Sequence, residues 1–324
     1  MNRVLLLIMM FLSISLTAYE QTDSIPAIDS TPTFNYHKDF KRLVDSSQNN
    51  ESSLYYHKLI KRFLDNDSTL THYQTLAMMI GYTEDPHYKP LEDMEKEQEI
   101  FEYNKNGEFK TAIEKARIYL PSHPLSLLVL REISYAYQQV SKEYANNFVM
   151  DTAIICQDSG KYFMDLNDKI MEAMIFSGKG KKPEDPIFSM GLADGEYFIP
   201  NVGYRIESDG VKESKDTEWN KDGDFLEVIT AMVDNVTAKK FYFVIQHAKQ
   251  KIDDDAAEAQ AEKNAKKKKK DVKKAAPEKK SKKSSTDQKN KQASVTDPVN
   301  APVNDSIPAS IRPIIDTIPA ALKP

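Results

Sequence analysis

Apolar side chains recur three and four residues apart through the first half of the chain. Segments 36–63 and 95–140 both show this spacing, which places the apolar residues on one face of a helix. In the second segment, Asn106-Gly107 predicts a turn between two helices. The clearest stripe lies on the helix after that turn and consists of Phe109, Ala112, Ile113, Ala116 and Leu120. The pattern predicts a helical N-terminal half built around a helical hairpin.

Another helix is predicted between these two segments. Thr71 and Gln74 have the spacing of a capping box, in which the hydroxyl accepts from a backbone amide and the Gln side chain reaches back to the start of the helix. The spacing predicts a helix over 72–80 that ends at Gly81. Pro90 is assigned to the loop that follows.

From Pro186 onward the pattern changes to short runs rich in β-branched and aromatic residues. The runs at 187–190, 196–199, 225–229 and 241–245 are separated by Asp-Gly dipeptides, which favour tight turns. Four such runs predict a small antiparallel sheet. Helices followed by strands indicate the α+β fold class, with the helical half packed against the sheet.

The N-terminus has the order of residues found in a secretory signal peptide. Asn2-Arg3 gives a positive start, an apolar run follows, and Ala18 provides a small residue for cleavage. The apolar run is shorter than the ~20 residues that span a bilayer, so no membrane span is expected after cleavage. Export to the periplasm or the extracellular space of a Gram-negative cell is therefore predicted. A single Cys among 324 residues also excludes a disulfide-rich scaffold.

Charge is distributed unevenly along the chain. The formal net charge is −5, but residues 261–291 hold fourteen Lys against four acidic residues, so this segment carries +10 and the remainder −15. The region beyond it is rich in Lys, Ser and Pro and has little apolar surface, which predicts disorder. The predicted organisation is a signal peptide at 1–18, a linker at 19–33, an α+β domain at 34–246, a charged helical extension at 247–276 and a disordered basic tail at 277–324.

The Lys-rich tail suggests the kind of partner that the protein has. Lys clusters attract polyanions, but no Arg or aromatic residues alternate with these lysines, so nucleic-acid binding is not expected. Anionic lipid headgroups, wall polymers or an envelope protein are the expected partners. A tail that serves only solubility is the alternative.

Several motifs together resemble one known family. They are Ser53–Thr71, Gly81-Tyr82, Tyr88–Pro90, the hairpin around Asn106-Gly107, and Ser177–Gly180. The family is the uncharacterised secreted family of Bacteroidota called domain of unknown function 4919, and the resemblance covers residues 34–246. The hairpin is also similar to a tetratricopeptide unit, in which Gly and Ala permit close helix packing. The family has no known catalytic residues, so the resemblance implies no particular activity or cofactor.

The residues with chemical potential do not form a recognisable motif. The six His are scattered, and Cys156 lies in an apolar context typical of a buried thiol. No catalytic, cofactor-binding or metal-binding residue is therefore assigned. Tyr197, Tyr204 and Trp219 could line a ligand groove on the sheet, or they could fill the core. We expect a non-enzymatic binding or structural protein of the cell envelope; the alternative is a periplasmic hydrolase whose acidic site is assembled only in the fold.

One short pattern repeats in the flanks of the chain. The sequence Asp-Ser/Thr-Ile-Pro-Ala occurs three times and resembles the acceptor of the O-glycosylation system of Bacteroidota. It predicts modification at Ser24, Ser306 and Thr317. The alternative is shared linker chemistry, since Asp, Ser and Pro are common in solvated turns.

Overall fold

A computed structural model describes residues 34–206, 215–234 and 236–274. Nine helices and five strands lie in this described part of the chain. The helices are α1 Tyr36–Gln48, α2 Tyr56–Leu64, α3 His72–Tyr82, α4 Pro90–Lys105, α5 Phe109–Tyr119, α6 Leu127–Asn146, α7 Met150–Ser177, α8 Asp194–Asn201 and α9 Gln246–Lys274. The strands are β1 Ile187–Phe188, β2 Arg205–Ile206, β3 Lys215–Trp219, β4 Phe225–Met232 and β5 Ala238–Val244. The protein has the α+β fold that the sequence predicts.

The helical half is organised around the long hairpin of α6 and α7. Ser134 of α6 donates to the carbonyl of Gly160 at 2.7 Å, and Asn167 of α7 donates to the carbonyl of Leu127 at 2.9 Å. These buried contacts hold the two helices together along their length. One hydrophobic cluster includes side chains from this hairpin, from α1 to α5 and from the sheet, so the two halves share a core.

Helix α3 confirms the predicted cap but not the predicted end. The hydroxyl of Thr71 accepts from the amide of Gln74, and the Gln74 side chain accepts from the amide of Thr71. Gly81 does not end the helix, which continues to Tyr82. A Cβ at Gly81 would lie 2.8 Å from the Cβ of Ser47, so the glycine allows α3 to pack closely against α1.

Two further helix boundaries differ from the prediction. Segment 36–63 holds two helices, α1 and α2, because the chain turns between Asn49 and Tyr55. Helix α4 begins at Pro90, which the sequence analysis assigned to a loop. Proline is favourable at the first helical position, where its missing amide is not needed. The carboxylate of Asp93 accepts from the amide of Lys89 at 3.0 Å and stabilises this start.

The sheet is mixed, so the predicted antiparallel sheet is wrong in one pairing. β5 lies between β1 and β4, and both β2 and β3 pair with the other edge of β4. The pairs that β4 makes are antiparallel, whereas β1 pairs parallel with β5, with Phe188 opposite Val244. A parallel pair needs a long crossover connection, and the 49 residues from 189 to 237, which include α8 and three strands, provide it.

The run at 196–199, predicted to be a strand, is part of helix α8. Four apolar residues in a row are too few to distinguish the periodicity of a helix from that of a strand. The carboxylate of Asp194 accepts from the amide of Gly191 at 2.7 Å at the start of the helix. Gly195 lies against the sheet, where an added Cβ would meet Glu227 Oε2 at 2.6 Å. The helix thus covers one face of the sheet.

Helix α9 begins in the core and extends away from it. His247 and Ala248 are buried, whereas every side chain from Ala256 to Lys266 is exposed. No described helix combines the length and the apolar character that a membrane span requires. The predicted signal peptide, linker and tail lie outside the described residues.

Candidate functional site

A small acidic cavity lies where α4, the α5–α6 connection and the start of α8 meet. Asp93 and Glu97 are four residues apart on α4 and therefore share one face of that helix. His123 and Ser126 come from the α5–α6 connection, and Asp194 comes from the start of α8. The cavity has a volume of about 30 Å³, which is room for a few water molecules.

Glu97 is an acid of this cavity whose pKa is strongly raised. The hydroxyl of Ser126 donates to its Oε1 at 2.5 Å and that of Tyr119 at 3.3 Å. Burial, followed by the negative charge of Asp194, raises the pKa of Glu97 from 4.5 to about 8, although the two hydrogen bonds act in the opposite direction. The side chain is consequently protonated at neutral pH.

Asp93 and His123 form an ion-pair contact beside Glu97. Nε2 of His123 lies 3.1 Å from Oδ1 of Asp93, and both side chains are largely buried. Oδ1 accepts no hydrogen bond, so the contact is electrostatic. Nδ1 of His123 lies 3.2 Å from the carbonyl oxygen of Tyr119, and the two rings stack with centroids 4.1 Å apart. Each ring nitrogen of His123 therefore faces an oxygen atom.

The cavity thus combines a neutral carboxylic acid with a carboxylate–imidazole pair. Such groups can donate and accept protons at neutral pH, and the carboxylates favour a small cation or a water molecule. Among the described residues, no three His, Cys, Asp or Glu side chains are arranged to hold a metal ion. The small volume limits any ligand to a group that enters from the mouth of the cavity.

The three residues predicted to line a groove are placed apart. Trp219 is 57% exposed and lies opposite Phe225, at the start of β4. Tyr204 precedes β2, which pairs with the other end of β4, and its ring stacks on Phe241 at 5.3 Å. The eight residues of β4 span roughly 25 Å, so Trp219 and Tyr204 do not share a groove. Tyr197 lies on α8, packed partly against the core.

Two further predictions from the sequence concern the single cysteine and the glycosylation sites. Cys156 is buried in α7, and burial raises the pKa of its thiol, as expected for a structural residue. The predicted glycosylation sites Ser24, Ser306 and Thr317 lie outside the described residues.

The sequence analysis did not find the acidic cavity. Its acids and its His lie on three segments spread over about 100 residues, from Asp93 to Asp194. The available signal was the spacing of Asp93 and Glu97 on one helix face. It went unused because the helical segment was taken to begin at residue 95, which left Asp93 outside it.

Comparison with sequence families identifies one match. The family described as a domain of unknown function, DUF4919, matches residues 41–254. The chain belongs to the DUF4919 family. The matched residues include the acidic cavity and the start of α9. They end before the lysine cluster, by which we mean residues 261–274 of α9. No curated protein and no solved structure matches the DUF4919 chain. Its origin in Bacteroidota and its similarity to a tetratricopeptide unit stay predictions.

Proposed function

We propose that the DUF4919 protein is an exported, non-enzymatic binding protein of the cell envelope that attaches to a polyanionic surface through α9. The single observation that supports this function is the extension of α9 beyond the core. From Ile252 to Lys274 the helix is roughly 33 Å long at 1.5 Å per residue, and its side chains are exposed from Ala256 to Lys266.

Charge along α9 changes sign from its start to its end. Residues 246–260 hold two Lys and four acidic residues, whereas residues 261–274 hold eight Lys and two acidic residues. Lys249 and Lys251 are paired with Asp253 and Asp255, which lie one turn further along. The positive charge is therefore held away from the acidic body, where it can contact an anionic surface. Each Lys close to such a surface contributes up to about 1 kcal/mol, and salt screens the attraction.

The test measures binding of the purified protein to anionic vesicles and to wall fragments at low and high salt. Replacing Lys266 to Lys270 with Gln retains the helix-forming character of α9 and removes five charges. We expect this variant to bind clearly more weakly than the parent at low salt, because it keeps nine of the fourteen Lys of residues 261–291. The matched control replaces Asp253, Asp254 and Asp255 with Asn and should bind at least as well as the parent. Binding by this variant that equals that of the parent, or binding that salt does not weaken, contradicts the proposal.

A second candidate function, acid–base hydrolysis, is supported by the acidic cavity. Glu97 could supply a proton to a leaving group, and the Asp93–His123 pair could accept one from water. The volume of about 30 Å³ places any substrate at the mouth of the cavity, which is the reason for preferring the binding function.

Hydrolysis is tested with chromogenic p-nitrophenyl ester and glycoside substrates across pH 4 to 10. Turnover that Glu97→Gln abolishes and Glu95→Gln retains would support this second function. Equal rates for the parent and Glu97→Gln would exclude Glu97 as its proton donor. Glu95 is a suitable control because it lies on the same helix and is exposed.

A further inference from the structure

The turn between α6 and α7 carries a cluster of exposed apolar side chains. Phe148 is 90% exposed, and Val149, Met150 and Ile154 are 43%, 54% and 51% exposed. We call these four residues the hairpin tip. Single exposed apolar residues are ordinary on protein surfaces, but here three are consecutive and a fourth follows one helical turn after Met150, and such a concentration of apolar surface marks interaction sites.

The backbone at Phe148 is unusual for an aromatic residue. Its φ is +60°, in the left-handed region that Gly and Asn adopt more readily. Asn147 precedes it, yet Asn147 has a φ of −92° and the left-handed conformation falls on Phe148. The turn therefore accepts a strained backbone at the residue whose ring is almost fully exposed. Such strain is typical of functional positions.

The hairpin tip lies far from the sheet. Helix α7 has 28 residues and is roughly 42 Å long. At its other end, the hydroxyl of Ser177 accepts from the amide of Phe188 in β1. The hairpin tip thus lies at the end of α7 opposite to the end that contacts the sheet.

We propose that the hairpin tip inserts into the interfacial region of a lipid bilayer. One turn before Phe148, Tyr144 is half-buried, and Nζ of Lys110 lies 5.5 Å from the centre of its ring. Tyr and Lys are favoured at the level of lipid headgroups, where an apolar body meets a polar end. In this arrangement the apolar side chains of the hairpin tip would lie among the acyl chains, and Tyr144 and Lys110 would lie at the headgroups. The boundary between the two regions is about 5–10 Å deep.

A second copy of the chain is a weaker candidate for covering this patch. Four side chains expose a few hundred Å², compared with roughly 800 Å² per partner in a stable interface. Of the acids near the patch, Glu143 pairs with Lys110 at 2.9 Å, and Asp151 lies in the first turn of α7, where its charge stabilises the start of the helix. Insertion therefore depends on apolar burial and is independent of the lysine cluster on α9.

The test uses the full chain and phosphatidylcholine vesicles at about 1 M salt, where the Debye length is about 3 Å and attraction by α9 is screened. We expect the protein to bind and Phe148→Asp to lower its partition coefficient by about tenfold or more, given the apolar surface of one Phe. Asp tolerates the left-handed conformation, so the variant should fold. The matched control is Ile118→Asp, because Ile118 is 70% exposed but lies on α5, away from the hairpin tip.

A second measurement tests directly whether the side chain at residue 148 enters the bilayer. In a Trp219→Phe background, the indole emission of Phe148→Trp should shift to shorter wavelength on binding and be quenched by brominated lipids. Absence of vesicle binding by the parent, equal binding by Phe148→Asp, or unchanged indole emission overturns the proposal. Self-association that Phe148→Asp abolishes, without vesicle binding, would assign the hairpin tip to a second copy instead and would equally overturn it.

Discussion

Replacing Glu97 with Gln should change how the stability of the protein depends on pH. The folded protein keeps the proton of Glu97 up to a pKa of about 8, whereas an unfolded chain releases it near the usual 4.5. Between these values the folded state binds the additional proton, so the free energy of unfolding falls as pH rises. Gln mimics the neutral acid and retains an oxygen that accepts from Ser126. The substitution therefore removes the contribution of residue 97 to the pH dependence of the free energy of unfolding.

The magnitude follows from the size of the shift. A change from 4.5 to about 8 at about 1.4 kcal/mol per pH unit sets a ceiling of about 5 kcal/mol. Glu97 keeps some solvent-exposed surface, and the cavity has room for water, so screening reduces this value. We expect about 2–3 kcal/mol. Glu97→Gln should match the parent near pH 4.5 and exceed its stability by that amount near pH 9.

Urea denaturation at several pH values between 4 and 9 measures the difference between the two proteins. Other titrating groups contribute to both curves, so the difference isolates Glu97. Glu95→Gln, at an exposed position of the same helix, should run parallel to the parent. If the curve for Glu97→Gln also runs parallel to the parent, the assignment of a protonated Glu97 is incorrect.

Three further predictions concern stability and reactivity. Phe148→Asn should raise the free energy of unfolding by about 1 kcal/mol, or about 2–4 °C in Tm, because Asn accepts the φ of +60° and little burial is lost; an unchanged or lower Tm by calorimetry contradicts this. Gly81→Ala should destabilise the protein by about 1–2 kcal/mol in urea titrations, since its Cβ would meet Ser47, and Ser47→Gly should restore part of the loss. Cys156 should react with iodoacetamide only after unfolding; rapid labelling of the native protein, followed by mass spectrometry, would show that the thiol is accessible.

The sequence predicted those parts of the fold that local patterns determine. The capping box of Thr71 and Gln74 forms as expected because both partners lie within one turn. The run at 196–199 was misassigned because its helix packs against the sheet, at a site where Gly195 leaves no room for a Cβ beside Glu227. Asp93 and Glu97 become part of a cavity only when Asp194, about 100 residues later, packs beside them. Sequence spacing carries no information about such an approach.

The parallel pairing of β1 with β5 has a consequence for how the chain is made. Phe188 is fully buried and lies opposite Val244, 56 residues later in the sequence. Synthesis proceeds from the N-terminus, so the helical hairpins can form while β1 still lacks its partner. A chain that stops before residue 238 would leave β1 without its strand partner and Phe188 without the stacked ring of His247. A nascent DUF4919 chain therefore carries an unpaired strand edge until β5 is added, and among the described strands the last to be synthesised is the one that protects the first.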